Sequence, residues 1–234
     1  MSLFCFGYGS LLYKPVPHFT GRYPGYIKGF ARRFAQSSND HRGTVENPGR
    51  VATIIHSDEW TSYAASHPCG KGDVFPEDDQ VWGVVYEVAA EHAVSTKAYL
   101  DDREKNGYSE ERIDVYGADD KVAFKDVLIY VGRLDNEAFV GPEPLKELAM
   151  RIATHEGPSG TNKEYLYQLA EHVRRICPES TDHYLEQLTQ QVRQYEEAGY
   201  LPPSQLEKQT AKSDIINALE QAKQATTHPL TYAS

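Results

Sequence analysis

The sequence predicts an α+β fold, a compact mixed sheet or small barrel flanked by helices. Three observations lead there. Short runs rich in β-branched and aromatic residues dominate the first half of the chain. From Pro142 apolar residues recur at helical spacing. Beyond Leu201 the chain turns polar and rich in Gln, Lys and Ala.

In chain order, strands are expected at Leu3 to Gly7, Tyr26 to Ala35, Arg50 to His56 and Val81 to Val88. Between His56 and Gln80 the residues Pro68, Gly70, Gly72 and Pro76 break any period, which predicts a long surface loop with a helical turn around Asp58 to Ala65. This loop is the expected lid or variable insertion. "AAEHAVSTKAYL" supplies helix formers up to Leu100, and the polar "DDREKNGY" follows. Strands are expected again at Arg112 to Tyr116 and at Val127 to Gly132, a continuous apolar run suited to burial on both faces.

Leu145, Leu148, Ala149, Ile152 and Ala153 form one helical face, with Gly157 as its terminator. "TNKE" is a capping box, with Thr161 as N-cap and Glu164 at N3 of a helix that buries Tyr165, Leu169 and Val173. A third helix from Thr181 to Ala198 carries Leu185, Leu188, Val192 and Tyr195 and stops at Gly199. Pro202 and Pro203 then open a peripheral tail with one weak helical stretch, Ser213 to Ala225.

The 234 residues and 40% hydrophobic content support a core large enough for one main domain. Lys and Arg number 24 against 34 Asp and Glu, a formal net charge of -10, which argues against nucleic acid as a partner. The first residues lack the charged and apolar regions of a signal peptide, and no segment approaches the roughly 20 apolar residues that span a bilayer. No membrane association and a cytoplasmic location are expected. Cys5, Cys69 and Cys177 are too few and too scattered for a disulfide framework or a cysteine-rich metal site, and Cys5 is expected in the core. Without HExxH or a comparable pair no metal site is indicated, so His155, His172 and His183 read as structural or exposed.

"FGYGSLLYKP" places two glycines and a serine directly after a strand, where backbone N–H groups reach a small anionic or carbonyl ligand unobstructed. It is neither a Walker loop nor a dinucleotide fingerprint, and on spacing alone a mere tight turn is the favoured reading. Glu104 follows the end of a helix within the charge cluster Asp101 to Lys105, and spacing alone does not distinguish it from a solvated helix end. In "GFARRFAQSSNDHRG", the set Arg32, Arg33, Gln36, Ser37, Ser38, Asn39, Asp40, His41 and Arg42 suits either a carboxylate-binding fork or an exposed loop. Asp40 and His41 near a serine suggest a triad, but the nucleophile elbow GxSxG is missing.

Taken together and in order, "FGYGSLLYKP", "GFARRFAQSSNDHRGTVENPGRVATI" and "YLDDREKNGY" resemble the ChaC-type γ-glutamylcyclotransferases. "VWGVVYEV", "NEAFVGP" and "HEGPSGTNKEYL" look like later landmarks of the same family. The resemblance runs from about Leu3 to Tyr195. It implies a closed or nearly closed β-barrel flanked by helices, a catalytic domain over 1–200 and a tail over 201–234 without counterpart in the family. It also implies a lyase that needs neither metal nor organic cofactor and cleaves a small-molecule substrate, glutathione, into 5-oxoproline and cysteinylglycine. Other γ-glutamyl amino acids or amines are the alternative substrates, and a γ-glutamyl-binding module is the alternative without catalysis. By the same resemblance Gly7, Tyr8, Gly9, Ser10, Leu11 and Leu12 surround the γ-glutamyl group, and Glu104 is the catalytic acid/base. Arg33, Gln36 and Ser37 are assigned as contacts one layer further out. Oligomeric state is left open.

Overall fold

The computed structural model describes residues 2–226 except 71–72, 74, 76–78, 105–107 and 179. Five strands close a barrel in the order β1 (Leu3–Gly7), β5 (Gln80–Val88), β2 (Phe19–Lys28), β6 (Tyr108–Tyr116) and β7 (Val122–Gly132). β1 and β2 both run antiparallel to β5, β6 to β7, and β2 meets β6 at Tyr26↔Tyr116. The parallel pairing Cys5↔Leu128 closes the circle.

Period-two alternation divides the strand side chains between two cores. Phe6, Val81, Val85, Val127, Ile129 and Val131 fill one cluster with Ile27 and Val115. Their neighbours Leu3, Cys5, Val84, Tyr86, Val88, Leu128 and Tyr130 pack in the other, against α3 (Leu145–Thr154), α4 (Asn162–Ile176) and α5 (His183–Glu197). The apolar run Val127 to Gly132 is thus buried on both faces, as expected. Cys5 lies in the helix-side core, and burial pushes its thiol up to about 12.

The hairpin β3 (Phe30–Ser38) and β4 (Gly49–His56) forms a separate two-stranded sheet. The expected single strand Tyr26 to Ala35 is therefore two strands, divided at Gly29, whose φ of 83° turns the chain. β2 begins earlier than expected because Gly21, Pro24 and Gly25 mask its pattern. Gly25 is required there, since a Cβ would stand 2.8 Å from the Tyr116 carbonyl oxygen of the facing strand. Polar ends also hide the starts of β6 and β7.

The helical turn expected around Asp58 to Ala65 is a full helix, α1 (Ser57–Ser66), which seats Trp60 and Ala64 against Ala31, Ala35 and Ile55. Gly72 and Pro76 of the expected long loop lie outside the described residues. α2 (Ala93–Arg103) ends later than Leu100. Gly157 does not terminate α3, whose last residue is Thr154. It belongs to the small hairpin β8 (Glu156–Gly157) and β9 (Gly160–Thr161), where a Cβ would meet the main chain of Gly43. The N-cap half of the capping box forms as expected, with Thr161 Oγ1 accepting from Glu164 N, while the Glu164 carboxylate accepts from Arg42 Nη1 at 3.0 Å. α6 (Pro203–Thr226) is longer than the expected weak stretch.

Candidate active site

β1 ends at Gly7, and a 3-10 turn at Ser10–Leu12 folds the chain straight back. A Cβ on Gly7 would stand 2.7 Å from Leu11 Cβ, so a side chain there is incompatible with the turn. Gly9 differs: its missing Cβ would meet Tyr165 Oη at an ordinary 3.5 Å. The N–H groups of Leu12 and Tyr13 bond the carbonyls of Gly9 and Ser10. The turn supplies no such carbonyl to the N–H groups of Gly9, Ser10 and Leu11, as at the start of any helix.

Buried groups fix the turn from below. Tyr86 Oη donates to the Leu11 carbonyl at 2.6 Å, and Arg22 Nη2 donates to that of Leu12 at 3.2 Å. Leu11 and Leu12 are buried in the helix-side core. On its open side Ser10 Oγ accepts a hydrogen bond from Arg103 Nη2.

Glu104 caps the C-terminus of α2, its N–H donating to Leu100 O at 2.9 Å. Its side chain is 20% exposed, and Arg103 Nε lies 3.8 Å from Oε1. Burial raises its pKa above the ordinary carboxylate value, with the Arg103 charge opposing. The Glu104 charge acts on Tyr8, Tyr108 and Tyr165, whose hydroxyl pKa values are pushed up first by burial and further by that charge, that of Tyr165 to about 12. They stay neutral at ordinary pH. Tyr8 Oη donates to the Tyr130 carbonyl at 2.9 Å, and Tyr165 Oη accepts from Ala52 N at 3.2 Å. A carboxylate that ionises reluctantly thus stands beside a bare-backbone turn, among neutral hydroxyls.

The structure brings Gly7 to Leu12 and Glu104 to one place. It places Arg33, Gln36 and Ser37 on β3. Arg33 is buried, bonds Asp73 Oδ1 at 2.6 Å, and lies 4.7 Å from the Tyr184 ring centroid. Gln36 is buried, and Ser37 N bonds Ala138 O. Arg32 pairs with Asp182 and Arg42 with Glu164, so the arginines of this stretch hold the protein's own carboxylates. Of the two readings left open for this stretch, the exposed loop does not hold, since Arg32, Arg33, Gln36, Ser38 and Arg42 are buried, and the arginines of a ligand fork are already paired within the protein. His41 Nδ1 meets Ser159 Oγ at 3.2 Å, but Nε2 is 3.9 Å from Asp40 and both acid and base are mostly exposed, which is no triad.

Arg103, Tyr108 and Tyr165 are site residues that the sequence reading did not single out. Arg103 stood in the charge cluster and Tyr165 on an apolar helix face, where each looked ordinary. Two solvent-open surface depressions lie elsewhere. One of about 550 Å³ lies beside Lys28, Arg112 and Tyr116, and one of about 360 Å³ beside Met150, His155 and Tyr195. Neither is lined by the turn or by Glu104.

The ChaC-like protein family matches residues 3–195. A glutathione-specific γ-glutamylcyclotransferase of Schizosaccharomyces pombe is 39% identical over 82% of this chain and 93% of its own length. One from Saccharomyces cerevisiae is 41% identical over 81% and 95%. The crystal structure of the yeast γ-glutamyl cyclotransferase specific to glutathione, in its selenomethionine form, superimposes with a TM-score of 0.71 at 39% identity, covering 83% of this chain and 96% of that one. With its barrel, its glycine turn and this extent of match, the chain belongs to the ChaC-like family.

Proposed function

We propose that this protein is a γ-glutamylcyclotransferase that cleaves glutathione into 5-oxoproline and cysteinylglycine, with catalysis confined to residues 1–200. The observation that carries the reading is the reluctant carboxylate of Glu104 held beside the Gly7 to Leu12 turn.

The substrate supplies its own nucleophile. Its α-amine attacks the γ-carbonyl carbon, a five-membered ring closes, and the C–N bond to the cysteinyl nitrogen breaks. Such intramolecular reactions reach effective molarities of about 10⁵ to 10⁸ M once the chain is folded into register. The protein's tasks are to fold the γ-glutamyl chain and to move protons: the α-nitrogen loses two as its ammonium becomes the lactam N–H, and the departing nitrogen gains two as it leaves as an ammonium. Glu104 takes a proton from the substrate ammonium to free the attacking amine, carries the second proton that this nitrogen sheds as the ring closes, and passes protons to the departing nitrogen as the C–N bond breaks; its raised pKa narrows the gap to both nitrogens. The N–H groups of Gly9, Ser10 and Leu11 bind an oxygen of the γ-glutamyl group as negative charge develops. Gly9 leaves room for that approach.

Incubation with glutathione should release 5-oxoproline and cysteinylglycine in equal amounts. Glu104→Gln should abolish release with the circular-dichroism spectrum unchanged, and full turnover in that variant would overturn the assignment. A panel of γ-glutamyl amino acids, compared by kcat/KM, fixes how strictly glutathione is preferred.

A further inference from the structure

We propose that Arg103 is a positioning residue for this site, clamping the Ser10 turn to the end of α2 and holding the Glu104 carboxylate beside it. This rests on the cyclotransferase reading above. Nη2 donates to Ser10 Oγ, Nη1 donates to Tyr99 Oη at 3.2 Å, and Nε faces Glu104 Oε1 at 3.8 Å. One planar, permanently charged group thereby joins the substrate turn, the helix and the acid/base.

The clamp is the site-end member of a series. The segment running from Tyr8 to His18 meets α2 again where Thr96 Oγ1 donates to Pro17 O at 3.3 Å. It meets the start of the helix a third time where the His18 and His92 rings stack with centroids 4.2 Å apart. Substrate turn and helix are fastened along their shared length, and Arg103 ties them where the reaction takes place.

Its charge has a second consequence. Tyr8 after β1, Tyr108 on β6, Tyr130 on β7 and Tyr165 on α4 all feel the Glu104 charge, and each is held neutral by burial. Among the described residues Arg103 is the charge that opposes the burial of Glu104. It keeps the base form accessible without exposing the carboxylate to water.

The test compares Arg103→Met, Arg103→Lys and Ser10→Ala by the pH profile of kcat/KM with glutathione. Arg103→Met should lose roughly ten- to a hundredfold, the scale of a charge-assisted contact, and its acid limb should move to higher pH. Arg103→Lys should restore the limb while recovering only part of the rate, because an ammonium cannot span Ser10 and Tyr99 together. Ser10→Ala should lose rate with the limb in place. A limb at the wild-type position in Arg103→Met, or a lysine variant no better than the methionine variant, overturns the proposal. If wild-type protein leaves glutathione intact, the reaction assigned above fails. The Glu104 carboxyl, titrated by carbon-13 NMR in wild type, Arg103→Lys and Arg103→Met, then decides the coupling alone, an unchanged midpoint in both variants overturning it.

Discussion

Asn162 pairs with the main chain of Arg50 as a neighbouring strand would. Its Oδ1 accepts from Arg50 N and its Nδ2 donates to Arg50 O, each at 2.7 Å. The residue is fully buried at the first position of α4, so one amide side chain joins that helix to β4. Three residues later Tyr165 reaches Ala52 N on the same strand and stands over Gly9. Asn162→Ala leaves a buried N–H and a buried carbonyl unpaired, at about 1–3 kcal/mol each. A loss of about 2–6 kcal/mol in urea denaturation at unchanged m-value is expected. Asn162→Asp should be no milder, because it turns a donor towards Arg50 O into a second acceptor.

Glu104 ties stability to pH in a direction opposite to most carboxylates. Its pKa is raised in the folded protein, chiefly by burial. Between the unfolded and folded values the folded state binds more protons, so stability is fully present below the unfolded value and is lost as pH rises through the folded one. Glu104→Gln removes this dependence. Its melting temperature should exceed that of wild type at pH 8 and approach it near pH 4. A variant less stable than wild type by the same amount at both pH values would show that the carboxylate is not strained by burial.

The fold was legible wherever burial imposed a period. Val127 to Gly132, the apolar face Leu145 to Ala153 and the N-cap at Thr161 lie where their patterns placed them. Close main-chain approach erased the pattern elsewhere. Gly25 in β2 and Gly157 in β8 look like breakers in the sequence, yet each lies within a strand because another main chain lies where its Cβ would be. The site was half legible for a related reason. The turn shows in its glycines, and Glu104 drew notice only through family resemblance. Arg103 looked like one more charge at a helix end, since nothing in "DDREK" says that this guanidinium points inward to Ser10. Contacts spanning 93 residues leave no mark on local periodicity.

Gly7 tests whether the turn's geometry, and not merely its presence, serves the reaction. A methyl group at this position would lie 2.7 Å from Leu11 Cβ and 3.4 Å from the Tyr86 ring. Leu11 is buried and its carbonyl is bonded to Tyr86, so the turn cannot yield locally. Gly7→Ala should therefore cost about 1–3 kcal/mol, the usual price of overpacking. For a chain of this size that is a fall of about 2–4 °C in melting temperature per kcal/mol. Gly117→Ala is the control: its nearest neighbour would be the Asp119 carboxylate at 3.2 Å, at the tip of a movable side chain. It should stay within about 0.5 kcal/mol of wild type. Because the turn moves only as a unit with Leu11, the strain in Gly7→Ala also shifts Ser10 relative to Arg103, so kcat/KM should fall at temperatures where the variant is still fully folded. A Gly7→Ala protein as stable and as active as Gly117→Ala would show that the bare backbone at the end of β1 is incidental.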